Sequence, residues 1–404
     1  LPIDRNRKPK KRERARGNVT VQILKGDCRD VLRTLPAESV HCVVTSPPYW
    51  GLRDYGIPPS IWDDDPDCDH QWGETISVNA TNHTTKARWN HTRNGRDELQ
   101  PTEKRVSWLR TEVKQGQFCQ RCGAWAGAFG LEPTYQLYVD HAVDVFREVS
   151  RVLRPDGTLW LNLGDSYCSG GRATWRSGAS ENKGQDVLND MPRPAQPTDL
   201  KPKDLIGIPW RVAFALQSDG WWLRQDVIWA KPNPMPESVT DRCTKAHEYL
   251  FLMTKSERYY FDAAMIAEDA TTDAAHKHWT ERKYDQSMLA NKQENGVKGR
   301  PIGVAGYTAP GKRNKRSVWT VNTQPFPEAH FATFPTALVE PCIKAGCPKG
   351  GVVLDPFGGA GTTGMVADRL ERDAILIELN PEYAAMADRR IRADAGMFAS
   401  GENG

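Results

Sequence analysis

One stretch late in the chain constrains the fold more than any other: Val352-Val-Leu-Asp-Pro-Phe-Gly-Gly-Ala-Gly-Thr-Thr-Gly364. An apolar run of strand character stops at Asp355, a G-x-G-x-x-G spacing follows (Gly359, Gly361, Gly364), and a helical pattern begins at once. Glycines there let the backbone turn tightly and approach a ligand, and the next strand, Ala374 to Glu378, ends in an acid placed to hold ribose hydroxyls. The layout predicts a nucleoside-cofactor loop at the carboxyl edge of a parallel sheet. Asp355 narrows the choice of cofactor. A dinucleotide would bring its pyrophosphate to the helix N-terminus, where a carboxylate repels it. A ligand carrying an ammonium and a sulfonium is instead attracted, by on the order of a few kcal/mol in a partly dry cleft. The pattern favours S-adenosylmethionine over NAD, with a nicotinamide oxidoreductase as the rival.

The remaining chain supplies strands and helices in alternation, which predicts an α/β doubly wound, mostly parallel sheet interrupted by polar insertions. Strands are expected at Val19–Leu24, Val40–Val44, Thr158–Leu163, 221–229, 248–254, Val352–Leu354 and Ala374–Glu378. Helices are expected from Cys28 to about Leu35 and over 204–217, 335–345, 361–371 and 381–394. Tyr138, Ala142, Val145, Phe146, Val149, Val152 and Leu153 share one helical face, and Arg154-Pro-Asp-Gly157 is expected to end that helix. Residues 56–117 lack sustained periodicity, and 80–116 and 169–203 read as mobile loops.

A second motif carries chemistry. Val40–Val44 is near-continuously apolar, as a strand buried on both faces is, and it stops at Thr45-Ser-Pro-Pro-Tyr-Trp50. Pro47 and Pro48 remove two N–H donors and stiffen the turn. What is left is a rim of acceptors, the Ser46 hydroxyl and the Pro47 carbonyl, beside the aromatic plate of Tyr49. An exocyclic amine presents two N–H donors on a flat ring. Accepting both hydrogens enriches its nitrogen in electrons, while the aromatic ring stacks on the base.

Ser46-Pro-Pro-Tyr49 and Asp355-Pro-Phe-x-Gly-x-Gly361 together resemble the catalytic and cofactor motifs of the DNA amino-methyltransferases that act on adenine N6 or cytosine N4. Catalytic motif first and cofactor motif last is the order of that family's beta class. Leu153–Asp165, Val227–Pro236, His247-Glu-Tyr249 and His330-Phe-Ala-Thr-Phe-Pro335 resemble its other core segments. The resemblance covers Val19–Arg53, Leu131–Asp165, Asp204–Asp262 and Ser317–Arg392. It implies a Rossmann-like methyltransferase fold in which Asp355, Pro356, Phe357, Gly359, Gly361, Thr362 and Glu378 bind S-adenosylmethionine. It also implies that Asp27 approaches the adenine ring and that His330, Thr333, Phe334 and Thr336 approach the methionine portion. Ser46, Pro47, Pro48 and Tyr49 would handle a base flipped from double-stranded DNA, by direct transfer without a covalent enzyme intermediate. No cysteine nucleophile is then needed, and Pro341-Cys342 is better read as core than as such a nucleophile. The adenine enzymes usually carry Asp-Pro-Pro-Tyr and the cytosine-N4 enzymes Ser-Pro-Pro-Tyr, so Ser46 favours cytosine N4, with adenine N6 as the alternative. A catalytically inactive DNA-binding regulator and an RNA or protein methyltransferase are the readings of other classes.

Cys68-Asp-His70 and Cys119-Gln-Arg-Cys122, followed by Gly123, supply four ligands for a tetrahedral, structural zinc that would clip the polar insertion; His83 and His91 are alternative ligands. The net charge of +3 hides an asymmetry, because residues 5–16 hold eight basic side chains. That arm, Arg88–Arg96 and Lys312–Arg316 suit a phosphate backbone; the bland alternative for the arm is a solubilising tail. No apolar run reaches the roughly 18 residues of a membrane span, and the nine cysteines do not pair off into a complete disulfide framework. The expectation is a cytoplasmic protein, bacterial or phage-encoded by resemblance, monomeric or homodimeric, with a restriction nuclease as an associated activity. The organisation expected is a basic tail (1–17), a catalytic half (18–55 and 131–265), a zinc-bearing insertion (56–130), a target-recognition segment (266–316), a cofactor half (317–395) and a short tail (396–404).

Overall fold

The computed structural model of the protein describes residues 19–51, 57–81, 110–168, 199–234, 236–237, 239–269, 312–324 and 334–396. In chain order its elements begin with β1 (Val21–Lys25), α1 (Cys28–Thr34) and β2 (Val40–Thr45), then β3 (Ser60–Trp62), β4 (Ile76–Thr81), β5 (Arg110–Phe118) and β6 (Trp125–Gly127). There follow α2 (Tyr135–Val152), β7 (Leu153–Leu163), α3 (Ile208–Ser218), β8 (Trp222–Ala230), β9 (His247–Thr254), β10 (Glu268–Asp269), β11 (Lys312–Arg313) and β12 (Val318–Thr320). The last are α4 (Thr336–Gly346), β13 (Val352–Asp355), α5 (Thr362–Arg369), β14 (Asp373–Glu378) and α6 (Pro381–Gly396). None of the described helices is long and apolar enough to cross a membrane.

The main sheet has the order β1-β14-β13-β2-β7-β9-β8-β12. Every neighbouring pair is parallel except the two made by β9, which runs against β7 and β8. This is the α/β, mostly parallel sheet that the alternating pattern implied. Its central strand β2 is apolar almost throughout because both faces are covered: Val40, Cys42, Val43 and Val44 are all buried. On one side a core joins Cys42, Val44, Trp160, Leu250 and Val353 to Leu338, Cys342 and Ile343 of α4 and Val366 of α5. Cys342 is fully buried, its thiol held well above the ordinary range by burial, which suits a core residue and not a nucleophile.

All seven residues of the apolar face on α2 and at its end are buried. The Arg154–Gly157 turn behaves differently from a simple stop. The pairing of β2 with β7 jumps from Val40↔Leu153 to Cys42↔Thr158, so these four residues bulge out of a strand that starts directly after the helix. The helix expected over 204–217 begins at Ile208, because one Asp165 oxygen accepts from the backbone N–H groups of Gly207 and Ile208 (2.9 and 3.0 Å) and caps it there.

By compactness the described residues fall into two units, one drawn from 1–47, 143–164 and 209–404 and the other from 48–142 and 165–208. The second unit is larger than an insertion at 56–130 and contains a four-stranded antiparallel sheet, β3-β6-β5-β4. Residues 76–81 and 110–118 are therefore paired strands, not loop. Their pairing is long-range, and Arg-Thr-Glu-Val-Lys-Gln-Gly-Gln-Phe carries no clean alternation that a local reading could detect. The basic arm, Arg88–Arg96, His83, His91 and most of 169–203 and 266–316 lie outside the described residues.

Candidate functional site

In the first unit, β13 continues through a glycine loop and α5 to β14 on one side, whereas β2 leads towards β7 on the other. The boundary between β13 and β2 is thus the point where the strand order reverses, and ligands of open α/β sheets bind outside the carboxyl ends there. Both sequence motifs lie at this boundary.

The glycine loop is built for close approach. Gly361 caps α5 with φ +77°, and a Cβ there would sit 2.9 Å from the Ala387 Cβ. A Cβ on Gly364 would meet Leu376 Cδ1 at 2.8 Å, so the helix lies flat on β14. Glu378, at the end of β14, accepts from the backbone N–H of Gly359 (2.7 Å) with one oxygen and of Asn380 (2.8 Å) with the other. Burial raises its pKa, with the neighbouring Asp355 charge adding to the rise and those N–H groups opposing it. Thr362 is buried, and its hydroxyl accepts from Arg390 (2.8 Å).

Asp355 is 1% exposed. Its carboxylate accepts from the Thr45 hydroxyl (2.7 Å), the Thr363 hydroxyl (2.7 Å) and the Phe357 backbone N–H (3.1 Å). Burial lifts its pKa from the ordinary 3.8 to about 6 against these three hydrogen bonds. The sequence suggested a carboxylate facing its ligand; the structure buries it as a brace between β13, β2 and α5. Thr45 and Thr363 were the partners missed, and the only local signal was a hydroxyl residue beside each motif.

Lys25 pairs with Glu378 in the register of β1 and β14, which puts Asp27, two residues further, at the same edge of the sheet. Asp27 is the N-cap of α1 and is paired with Arg29 through two side-chain nitrogens (3.1 and 2.9 Å). Phe334 packs against the main core and Thr336 opens α4. His330 and Thr333 lie outside the described residues.

Ser46 and Pro47 leave β2 in the first unit, and Pro48 to Gly51 belong to the second, where four hydrogen bonds fix them. The Tyr138 hydroxyl donates to the Pro48 carbonyl (2.9 Å), the Trp50 indole to the Glu132 carbonyl (2.9 Å), the Gly51 N–H to the Gly130 carbonyl (2.9 Å), and the Ser166 hydroxyl to the Trp50 carbonyl (3.2 Å). Among the described residues nothing donates to the Pro47 carbonyl.

Elsewhere in the second unit, donor atoms of Cys68, His70, Cys119 and Cys122 all lie within 4.8 Å of one another. The Cys68 and Cys119 sulfurs are 3.9 Å apart, and the Cys122 sulfur is 3.4 Å from His70 Nδ1. Tetrahedral zinc asks for about 3.8 Å and about 3.6 Å between such atoms, from its usual bond lengths. Asp64 Oδ1 faces His70 Nε2 at 2.8 Å, so a proton on Nε2 leaves Nδ1 for the metal. The Arg121 backbone N–H points at the Cys119 sulfur (3.4 Å), and Gly123 takes φ +83° to close the knuckle. The donor set fits zinc.

Lys312–Arg316, expected to meet a phosphate backbone, has acidic partners within the chain. Lys312 pairs with Asp269, while Arg313, Lys315 and Arg316 converge on Glu268 (3.6, 3.7 and 3.0 Å). Burial would raise the Glu268 carboxyl, but Arg316 outweighs it and the pKa falls. Two carboxylates from 268–269 thus take up part of the charge intended for DNA.

Within the first unit, the glycine loop after β13 is joined to the end of β2, just before Ser46, by the Thr45–Asp355 hydrogen bond. The family of N6 and N4 DNA methylases matches residues 40–389. The type II methyltransferase M.SmaI of Serratia marcescens is 40% identical over 370 residues, covering 92% of this chain and 90% of its own. M.Cfr9I of Citrobacter freundii, also a type II methyltransferase, is 39% identical over 372 residues, covering 92% and 88%. Among solved structures, the cytosine-N4-specific PvuII DNA methyltransferase aligns over 96% of this chain and 98% of its own at 16% identity, with a TM-score of 0.48. The chain belongs to the N6/N4 DNA methylase family and is a DNA methyltransferase.

Proposed function

We propose that the chain methylates the exocyclic amine of a base flipped out of double-stranded DNA, with cytosine N4 as the target. The observation that carries this reading is the Thr45–Asp355 hydrogen bond, which ties the start of the catalytic loop to the cofactor loop. Bound S-adenosylmethionine supplies an electrophilic methyl group on a sulfonium. Phe357, Gly359, Thr362 and Glu378, with Pro356 and Gly361 shaping the loop, hold its nucleoside; Asp27 serves the adenine and Phe334 and Thr336 the methionine portion, a role the family resemblance also assigns to His330 and Thr333. Asp355 contributes negative charge from beneath the loop. Ser46 Oγ and the Pro47 carbonyl accept the two amine hydrogens, Pro48 stiffens the rim, and Tyr49 stacks on the base. The nitrogen lone pair forms the new N–C bond as the C–S bond breaks, and the nitrogen then loses its extra proton to water. The hydroxyl at position 46, where an adenine-directed site of this kind carries a carboxylate, supports cytosine; adenine N6 is the second reading.

Cys68, His70, Cys119 and Cys122 are proposed to hold one structural zinc, four protein ligands leaving no open position for catalysis. A restriction nuclease of the same specificity is the proposed partner activity. Incubation with unmethylated DNA and methyl-labelled donor, followed by nucleoside mass spectrometry, tests the reaction. N4-methylcytosine is expected. N6-methyladenine moves the target to the alternative, and label in RNA or protein but not DNA overturns the reading.

A further inference from the structure

The second unit contains a polar trio, two of its members buried, that the methyl-transfer chemistry does not use. Glu132 and His141 have fully buried side chains, and Asp63 is exposed. His141 Nδ1 faces Glu132 Oε1 and Nε2 faces Asp63 Oδ2, each at 3.1 Å. The imidazole stacks on Trp62 (ring centres 4.4 Å apart) and on Trp125 (5.4 Å), which restricts its turning. A carboxylate taken out of water is costly unless every oxygen is satisfied, and an apolar filling of the same volume is often at least as stable. Aromatic neighbours are at hand to supply such a filling, as the stacked Phe129 and Tyr138 show. What distinguishes this trio is where its remaining bonds go.

Glu132 Oε2 accepts from the Gly130 N–H (2.8 Å). The same residue's carbonyl takes the Trp50 indole, and Gly130's carbonyl takes the Gly51 N–H. Gly130 has φ +95°, and a Cβ on it would lie 2.9 Å from the Pro48 Cβ, so the 130–132 segment lies directly against the loop carrying Tyr49. One turn before His141, on the same face of α2, Tyr138 reaches the Pro48 carbonyl. Two of the four bonds that fix the loop therefore end on the segment that the Glu132 carboxylate holds in place.

We propose that Glu132, locked by His141, is a positioning residue for the Tyr49 loop, setting the height and tilt of the plate on which the target base stacks. Neither residue touches base or methyl donor. The proposal rests on the methyl-transfer reading above, and the wild-type control separates the two: an inactive wild-type enzyme defeats that reading, not this one.

The experiment compares kcat, the affinity for S-adenosylmethionine and far-UV circular dichroism in three variants of the full chain. Glu132→Ala leaves the Gly130 N–H and His141 without their acceptor, and a misplaced reacting geometry costs about a hundredfold in kcat. Glu132→Gln keeps the shape and an oxygen for Gly130, so it should restore kcat to within about tenfold of wild type. Trp50→Phe removes a single hydrogen bond and should lower kcat by about fivefold. Affinity for the methyl donor should stay within about twofold throughout, since the change is in positioning and not in uniform binding. A folded Glu132→Ala with wild-type kcat overturns the proposal. So does an equal loss of kcat and donor affinity in Glu132→Ala and Glu132→Gln. If Glu132→Ala does not fold, Trp50→Phe decides, and wild-type kcat there overturns it.

Discussion

On the proposed function, Asp355 should make binding of S-adenosylmethionine and folding stability respond to pH in opposite directions. Its carboxyl is shifted from 3.8 to about 6 because burial disfavours the charged form more than Thr45, Thr363 and the Phe357 N–H favour it. A folded-state pKa above the unfolded one means that the folded protein holds the proton longer. The stability contribution is complete below about pH 4, falls as pH rises through about 6, and above that the carboxylate costs about 3 kcal/mol relative to the neutral acid. A cationic ligand reverses the preference, since it favours the carboxylate. If the bound donor returned the carboxyl to its ordinary value, affinity would fall about tenfold between about pH 7.5 and about pH 5, with close to one proton released per ligand near pH 5. Calorimetry in two buffers of different ionisation enthalpy measures both quantities. Asp355→Asn should bind weakly at every pH, show less linked proton release and melt no lower than wild type near pH 8, because it removes a buried charge. The residual pH dependence in that variant reports Glu378, whose pKa is also raised by burial. S-adenosylhomocysteine, without the sulfonium charge, should show a smaller slope. A donor affinity that is flat from pH 5 to 7.5 with no buffer dependence would refute the reasoning.

Ser46→Ala and Tyr49→Ala should retain donor affinity but lose methyl transfer by orders of magnitude, with the stacking share of Tyr49 about 1–3 kcal/mol; transfer of labelled methyl to DNA measures this, and a near-normal rate in either variant rules out its assigned role. Protein purified without chelator should carry about one zinc per chain by elemental mass spectrometry. Cys122→Ser should lose the metal and melt earlier while still binding the donor, and zinc-free wild-type protein would remove the site.

The main sheet was legible because its signals are local. Apolar runs such as Val40–Val44 and the glycine spacing after Val352–Leu354 mark strand, loop and helix within a few residues of the observed bounds. The clustering of Cys68, His70, Cys119 and Cys122 was legible for a related reason, since Cys-x-His and Cys-x-x-Cys name their chemistry by residue type and spacing. What stayed hidden depends on contacts that no local pattern names. Asp64, which orients His70, is one acid in an acidic run. Glu268 and Asp269, which occupy Lys312–Arg316, are separated from it by more than forty residues. Glu132 and His141 are nine apart, but nothing in their spacing tells of Trp62 and Trp125 closing over the ring.

Asp355 shows how the two limits meet. Its place at a strand end was readable, but its surroundings were set by the ladder between β13 and β2. Leu354 pairs with Val43, which brings Asp355 level with Val44 and leaves Thr45 one residue beyond. The Thr363 hydroxyl reaches both Asp355 Oδ2 (2.7 Å) and the Val44 carbonyl (3.3 Å), so α5 is fastened to the same junction. A slip of one residue in that ladder would turn Thr45 to the opposite face and leave a buried carboxylate short of a donor. The register is therefore fixed by the need to satisfy Asp355 as well as by the apolar pattern. Two motifs separated by more than three hundred residues are brought together for that reason, and one hydrogen bond links Asp355 to Thr45, the last residue of β2 before Ser46.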